Sequence, residues 1–165
     1  MENYRSINSG EVMTTGSASV TINRSPGDVF AAISDITRTG EWSPECTGGR
    51  WVDGATGAAI GAHFEGDNKF VVAGMTLKKW TTTSEVTACM PGEEFEFVAS
   101  GYTTWRYDLK PAGAGTRVTE SFSFDASKGM QGFIYEKVMR RSHAMTKGMQ
   151  STLEKVKASL ESSNS

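Results

Sequence analysis

Residues 128–162 read KGMQGFIYEKVMRRSHAMTKGMQSTLEKVKASLES, and this stretch decides the fold. From about residue 129 to 160, Met130, Ile134, Val138, Met145, Met149, Leu153, Val156 and Leu160 recur at three- and four-residue steps. That spacing lays them along one stripe of an α-helix. Glu136, Arg140, Lys147, Glu154 and Lys155 project to the other side, which gives the helix one wet face. A helix of this length must lie against something equally long. Methionine is flexible and polarizable, so a methionine-rich stripe suits either gap-filling in a core or a surface that adapts to varied shapes.

Working outward from the helix, nearly everything before it reads as β-strand. Ala18, Val20 and Ile22 alternate with Ser19, Thr21 and Asn23, the pattern of a half-buried strand. Ser25-Pro26-Gly27-Asp28 then starts a short helix, with serine at the cap, proline at the first helical position and a carboxylate in the first turn. Val29, Phe30 and Ile33 give it an apolar face. Gly40 and Pro44 limit the next segment to a second short helix and a loop.

From Cys46 to Asp125 the pattern predicts five or six antiparallel strands. Phe64 alternates with His63 and Glu65, and either Asp67-Asn68 or Ala73-Gly74 turns the chain. Residues 76–90 form a long strand with Trp80, Thr82, Ser84, Val86 and Ala88 on one face. Pro91-Gly92, Ser100-Gly101 and the loop 111–115 mark further turns. Phe95, Phe97 and Ala99 share a face, as do Trp105, Tyr107 and Leu109, and finally Val118, Glu120, Phe122 and Phe124.

The order is strand, two short helices, an antiparallel meander and one long helix. A meander has one face to bury, and the terminal helix is the only large cover available. The predicted class is α+β, a curved antiparallel sheet around a C-terminal helix with space between them. Residues 1–15 are expected to form a polar arm, 16–160 a single domain and 161–165 a polar tail.

Bulk composition excludes several classes. The chain has 165 residues and a formal net charge of −2, enough length for one real core and no basic block for a nucleic acid. No apolar run suits a membrane span, and the N-terminus lacks the apolar core of a signal peptide, so a cytoplasmic protein is expected, either monomer or homodimer. Cys46 and Cys89 fit no motif and read as reduced and structural. His63, His143 and the two cysteines are too scattered for a metal site. There is no nucleophile elbow, and Gly113 and Gly115 lead into a strand, not into a phosphate-binding helix, so neither metal nor cofactor is expected.

Five segments carry a resemblance. DITRTGEWSPECTGGRW (35–51), GAHFEGDN (61–68), KWTTTSEV (79–86), TWRYDLKPAGAGTRVTESF (104–122) and KGMQSTLEKVK (147–157) resemble the polyketide cyclase/dehydrase-like branch of the START/SRPBCC superfamily, in the form frequent among actinobacteria. The match runs from about residue 16 to 160. It implies the helix-grip fold and a cavity; its motifs mark turns, core aromatics and the helix, and none is a catalytic signature.

Candidate ligand contacts follow from the faces: Phe64, Asn68, Phe95, Phe97, Trp105, Tyr107, Glu120 and Phe122 from the strands, and Val138, Ser142, Met145 and Met149 from the helix. Glu120 is the most informative. A carboxylate on an apolar face needs a partner or a proton. It is either a polar anchor or general base inside the cavity, or a structural glutamate at a bulge or rim. Tyr107 has an apolar body and a polar tip that can address a ligand. Arg106 alternates outward. Two functions stand: uptake of a lipid, polyketide or aromatic molecule without turnover, which the few polar groups favour, or aldol cyclisation of a poly-β-keto chain with Glu120 and Tyr107 as the acid–base pair.

Overall fold

The computed structural model describes residues 13–125 and 134–163, with the backbone alone at residues 13, 14, 125 and 134–142. The order is β1 (Met13–Ile22), α1 (Pro26–Ser34), a 3₁₀ turn (Ile36–Glu41), β2 (Cys46–Val52), β3 (His63–Val72), β4 (Met75–Met90), β5 (Glu94–Ala99), β6 (Thr103–Ala112), β7 (Gly115–Asp125) and α2 (Ile134–Ser162). Seven antiparallel strands form one curved sheet in the order β1-β7-β6-β5-β4-β3-β2, with α2 as its long cover. The expected helix-grip architecture is present, with six strands between Cys46 and Asp125. β1 begins at Met13, so the expected arm keeps only residues 1–12, which lie outside the described residues, as do 129–133 of the expected helix.

Local chemistry explains the boundaries. The Asp28 backbone N–H donates to the Ser25 Oγ at 3.2 Å and Pro26 opens α1, as the cap sequence requires. The β3–β4 turn falls at Ala73-Gly74, both with positive φ. Asp67-Asn68 does not turn: both stay in the ladder, opposite Thr81 and Trp80. A two-residue hairpin needs left-handed backbone at both central positions, which Gly74 adopts at no steric cost and Asn68 followed by Lys69 does not offer.

Two irregularities alter the expected faces. The β4–β5 register shifts between Val86 and Ala88, so Cys89, not Ala88, pairs with Phe95 and joins the inner face. The β2–β3 register shifts between Cys46 and Gly48. Single-residue bulges of this kind reverse alternation beyond them.

α2 packs chiefly on β1 and, less, on β7. Gly16 makes the approach possible: a Cβ there would lie 2.7 Å from both a Phe122 ring carbon and the Thr146 Oγ1. Leu153, Val156 and Met149 are buried with Ile22, Val118, Val29 and Phe122 in the core. The end of α2 is tied down as well. Arg24 donates from Nε to the Leu160 carbonyl at 2.7 Å and adds a second bond through Nη2. The Asn23 N–H donates to Glu161 at 2.8 Å, and Lys157 donates to the Thr21 carbonyl at 2.7 Å. The Arg24 guanidinium on the Leu160 carbonyl complements the helix dipole.

Candidate functional site

The register assembles the inner face strand by strand. Tyr107 pairs with Glu120 and Phe95, Trp105 with Phe122 and Phe97, Phe97 with Val86, Phe64 with Ser84 and Trp51, and Asn68 with Trp80 and Cys46. Directly opposed residues share a face, so all of these project to the concave side. An aromatic chain crosses it: Trp51 meets Phe64 edge-on at 5.6 Å, Phe64 meets Phe97 at 5.0 Å, Phe97 meets Phe95 at 5.8 Å, and Phe95 stacks on Tyr107 at 6.4 Å. Trp105 leans on Phe122 at 5.7 Å.

Burial divides these residues. Phe64, Phe122 and Met149 are buried, and Phe95 is 0% exposed, held between Phe30 and Tyr107. Trp51, Phe97, Trp105, Tyr107 and Met145 pack against the same core yet keep part of their surface. Asn68 is half-buried, and its Nδ2 donates to the Gly66 carbonyl at 2.9 Å and to the Thr82 Oγ1 at 3.1 Å. The side chains of Val138 and Ser142 lie outside the described residues.

Glu120 sits at the centre of the polar chemistry. It is 4% exposed, on the apolar face between Val118 and Phe122. Strict alternation therefore holds through β7, with no bulge to turn Glu120 out. Tyr107 donates its hydroxyl to Oε1 at 2.9 Å; Oε2 is buried and has no hydrogen-bond partner. Burial pushes the carboxyl up to about 8, only partly offset by the Tyr107 hydrogen bond. Burial also pushes Tyr107 well above its ordinary value, and the adjacent carboxylate adds to this. Burial therefore favours a protonated carboxyl beside a neutral phenol. An unshared carboxyl O–H in apolar surroundings is a hydrogen-bond donor in want of an acceptor.

Three inner-face residues were not among the expected ligand contacts: Trp51, which the sequence marks only as a core or rim aromatic, Thr82, expected on the Trp80 face but not as the Asn68 partner, and Cys46. Cys46 donates its thiol to the Gly48 carbonyl at 3.3 Å, and burial holds it in the thiol form. The Trp51–Phe64 pairing could have been found from β2 alternation counted back from Val52; counted forward from Cys46 the bulge hides it.

Away from the β3–β4 turn, the outer face carries clusters of paired charges. Arg106 pairs with Glu94 at 2.7 Å, Asp108 at 2.9 Å and Glu96 at 3.3 Å, and these carboxylates raise its already high pKa. Arg50 bridges Asp67 at 2.9 Å and Glu65. An open depression lined by Asp108, Lys110, Arg117 and Thr119 lies on this face. It contains no buried polar group and has none of the chemistry seen around Glu120. His63 lies 3.9 Å from both Asp53 and Glu85 and is partly exposed, while His143 is exposed. Among the described residues no three His, Cys, Asp or Glu side chains could hold a metal ion, and no helix is long and apolar enough to cross a membrane.

A family model described as polyketide cyclase/dehydrase and lipid transport matches residues 13–161. The chain belongs to that family. Among solved structures it is similar to a polyketide cyclase-like protein, Cgl2372 from Corynebacterium glutamicum, at 35% identity over 90% of this chain and 92% of that one, with a TM-score of 0.63. TTHA0849 from Thermus thermophilus shares the fold at 17% identity and a TM-score of 0.64, covering 92% of this chain and 100% of that one. DynU16, from the dynemicin biosynthetic locus, shares it at 15% identity and a TM-score of 0.58, over 90% of this chain and 48% of that one. No curated protein is matched by sequence. Family membership makes the concave face the place to look for a ligand; the residues on it give that expectation its chemistry.

Proposed function

We propose that this protein binds an apolar small molecule, of lipid, polyketide or aromatic class, between the inner face and α2, without turning it over by itself. One observation carries the reading: the buried Glu120 carboxyl, unpartnered at Oε2, is set among aromatics that keep free surface. Trp51, Phe97, Trp105, Tyr107 and Met145 supply an apolar wall, and Met145 adapts to the ligand's outline. Glu120 donates from Oε2 to a carbonyl or hydroxyl oxygen on that ligand, while Tyr107 holds the carboxyl in place through Oε1. A buried donor that gains a partner discriminates strongly against ligands lacking the acceptor. Native mass spectrometry of freshly purified protein tests this. A co-purified small molecule bearing a carbonyl or hydroxyl, reduced in Glu120→Leu, is the expected result. Retention of a pure hydrocarbon as readily as its ketone would overturn the assigned role of Glu120.

The same pair supports a second reading, cyclisation or dehydration of a poly-β-keto chain. A carboxyl titrating near 8 is poised for proton transfer close to neutrality, and Tyr107 can donate to an enolate oxygen. Its discriminating test is turnover: purified protein, but not Glu120→Gln, should cyclise a poly-β-keto thioester faster than buffer. Binding without acceleration leaves the first reading.

A further inference from the structure

The β3–β4 hairpin ends in an apolar tip unlike the rest of the surface. Phe70, Val71, Val72, Met75 and Leu77 are all exposed, Met75 by 66% and Leu77 by 59%. Successive residues point to opposite faces of a strand, so the run 70–72 makes both faces of this ribbon apolar. A ribbon apolar on one face fits a flat protein partner; one apolar on both faces fits a medium that surrounds it. Patches of this kind on a folded protein mark an interaction site.

Charge identifies the medium. Lys69 pairs with Lys79 across the ladder, and Lys78 stands opposite Phe70. From residue 68 to 84 there is no acidic residue, although the whole chain carries a net charge of −2. Among the described residues none of these lysines is in an ion pair; Lys78 lies over the Trp80 ring at 5.5 Å. The Lys69–Lys79 pair is four residues from the turn, roughly 13 Å along the strand. Lipid-interface elements bury their apolar face about 5–10 Å into the headgroup–acyl boundary. With the tip at that depth, the lysines stand at the level of the phosphates and Trp80 just outside it.

We propose that the β3–β4 tip docks on an anionic lipid surface, with Phe70, Val72, Met75 and Leu77 inserted and Lys69, Lys78 and Lys79 on the headgroup phosphates. This site is separate from Glu120 and independent of what the inner face binds. Co-sedimentation tests it, using the full chain with vesicles of equal parts phosphatidylcholine and phosphatidylglycerol, and with phosphatidylcholine alone. Binding should require the anionic lipid and weaken as salt is raised. Replacing the three lysines (Lys69→Gln, Lys78→Gln, Lys79→Gln) should lower the partition coefficient about a hundredfold, from roughly a fivefold loss per lysine. Met75→Asp with Leu77→Asp should abolish binding while leaving the circular dichroism spectrum unchanged, because both positions are exposed. Absence of binding to the mixed vesicles, or binding unaffected by the aspartates, overturns the proposal. So does a concentration-dependent dimer that Met75→Asp dissolves, since the tip would then be covered by a second copy of the chain.

Discussion

The two ends of the sheet both present apolar side chains inward, to opposite effect. At the β1–β7 end, Gly16 lets α2 descend onto the strands, and Ile22, Val118, Leu153 and Val156 have almost no free surface. Toward β6, β5 and β2, the inner face keeps larger, aromatic side chains, Trp105, Phe97 and Trp51, only partly covered. The helix contacts concentrate on β1 and β7. Close packing at one end holds the fold, and looser packing at the other leaves aromatic surface uncovered, the surface assigned to the ligand in the proposal above. Glu120 stands at the boundary, on the strand that α2 covers but turned toward Tyr107 on the strand beyond.

The largest effect should come from damaging the packed end. Leu153 is 0% exposed, and Leu153→Ala should cost on the order of 2–5 kcal/mol, read as a lowered denaturant midpoint. At the boundary, Glu120 makes stability depend on pH. Its folded pKa, about 8, lies above its ordinary 4.5, so its contribution is intact below 4.5 and is lost as pH rises toward 8. The loss approaches roughly 1.4 kcal/mol per pH unit within that window. Glu120→Gln should remove this slope and be the more stable protein at pH 8, measured by urea denaturation across pH. An ordinary carboxyl titration by NMR would return Glu120 to a solvated site. At the half-open end, Trp105→Ala should cost about 2–3 kcal/mol in stability, less than sealing of the whole ring would imply, since part of it is already exposed. Ligand affinity should fall about tenfold, for a lost contact of about 1.4 kcal/mol. Met75→Ser, at the exposed hairpin tip, should change stability by less than about 0.5 kcal/mol.

Much of this contrast was legible in the chain. The three- and four-residue spacing from Met145 to Leu160 predicts α2 because a helix has one repeat, and Ser25-Pro26 predicts the start of α1 because caps are local chemistry. Alternation placed Glu120, Tyr107 and Trp105 on one face because β6 and β7 pair without interruption. It misassigned Ala88 and did not give Cys46 and Trp51 their place on the inner face, because the bulges after Val86 and Cys46 depend on the partner strand. The hairpin turn at Ala73-Gly74 could be chosen over Asp67-Asn68 only by pairing β3 with β4 along its full length. The unpartnered Oε2 of Glu120 is a tertiary fact that no local pattern encodes. Which aromatics would be sealed and which left open depended on where α2 settles, and Gly16 sets that by the space its missing side chain leaves.

The most direct measurement is the titration of the protein with an apolar naphthylamine probe that fluoresces on leaving water. Three versions are compared: the native chain, Met145→Trp and Met75→Asp. The native protein and Met75→Asp should bind the probe and release it to fatty acids, flavonoids or polyketides. Met145→Trp, which fills the half-open end, should not bind it although its unfolding midpoint is unchanged. Absence of binding to the native protein, or loss on Met75→Asp in place of Met145→Trp, would contradict a ligand site between the inner face and α2.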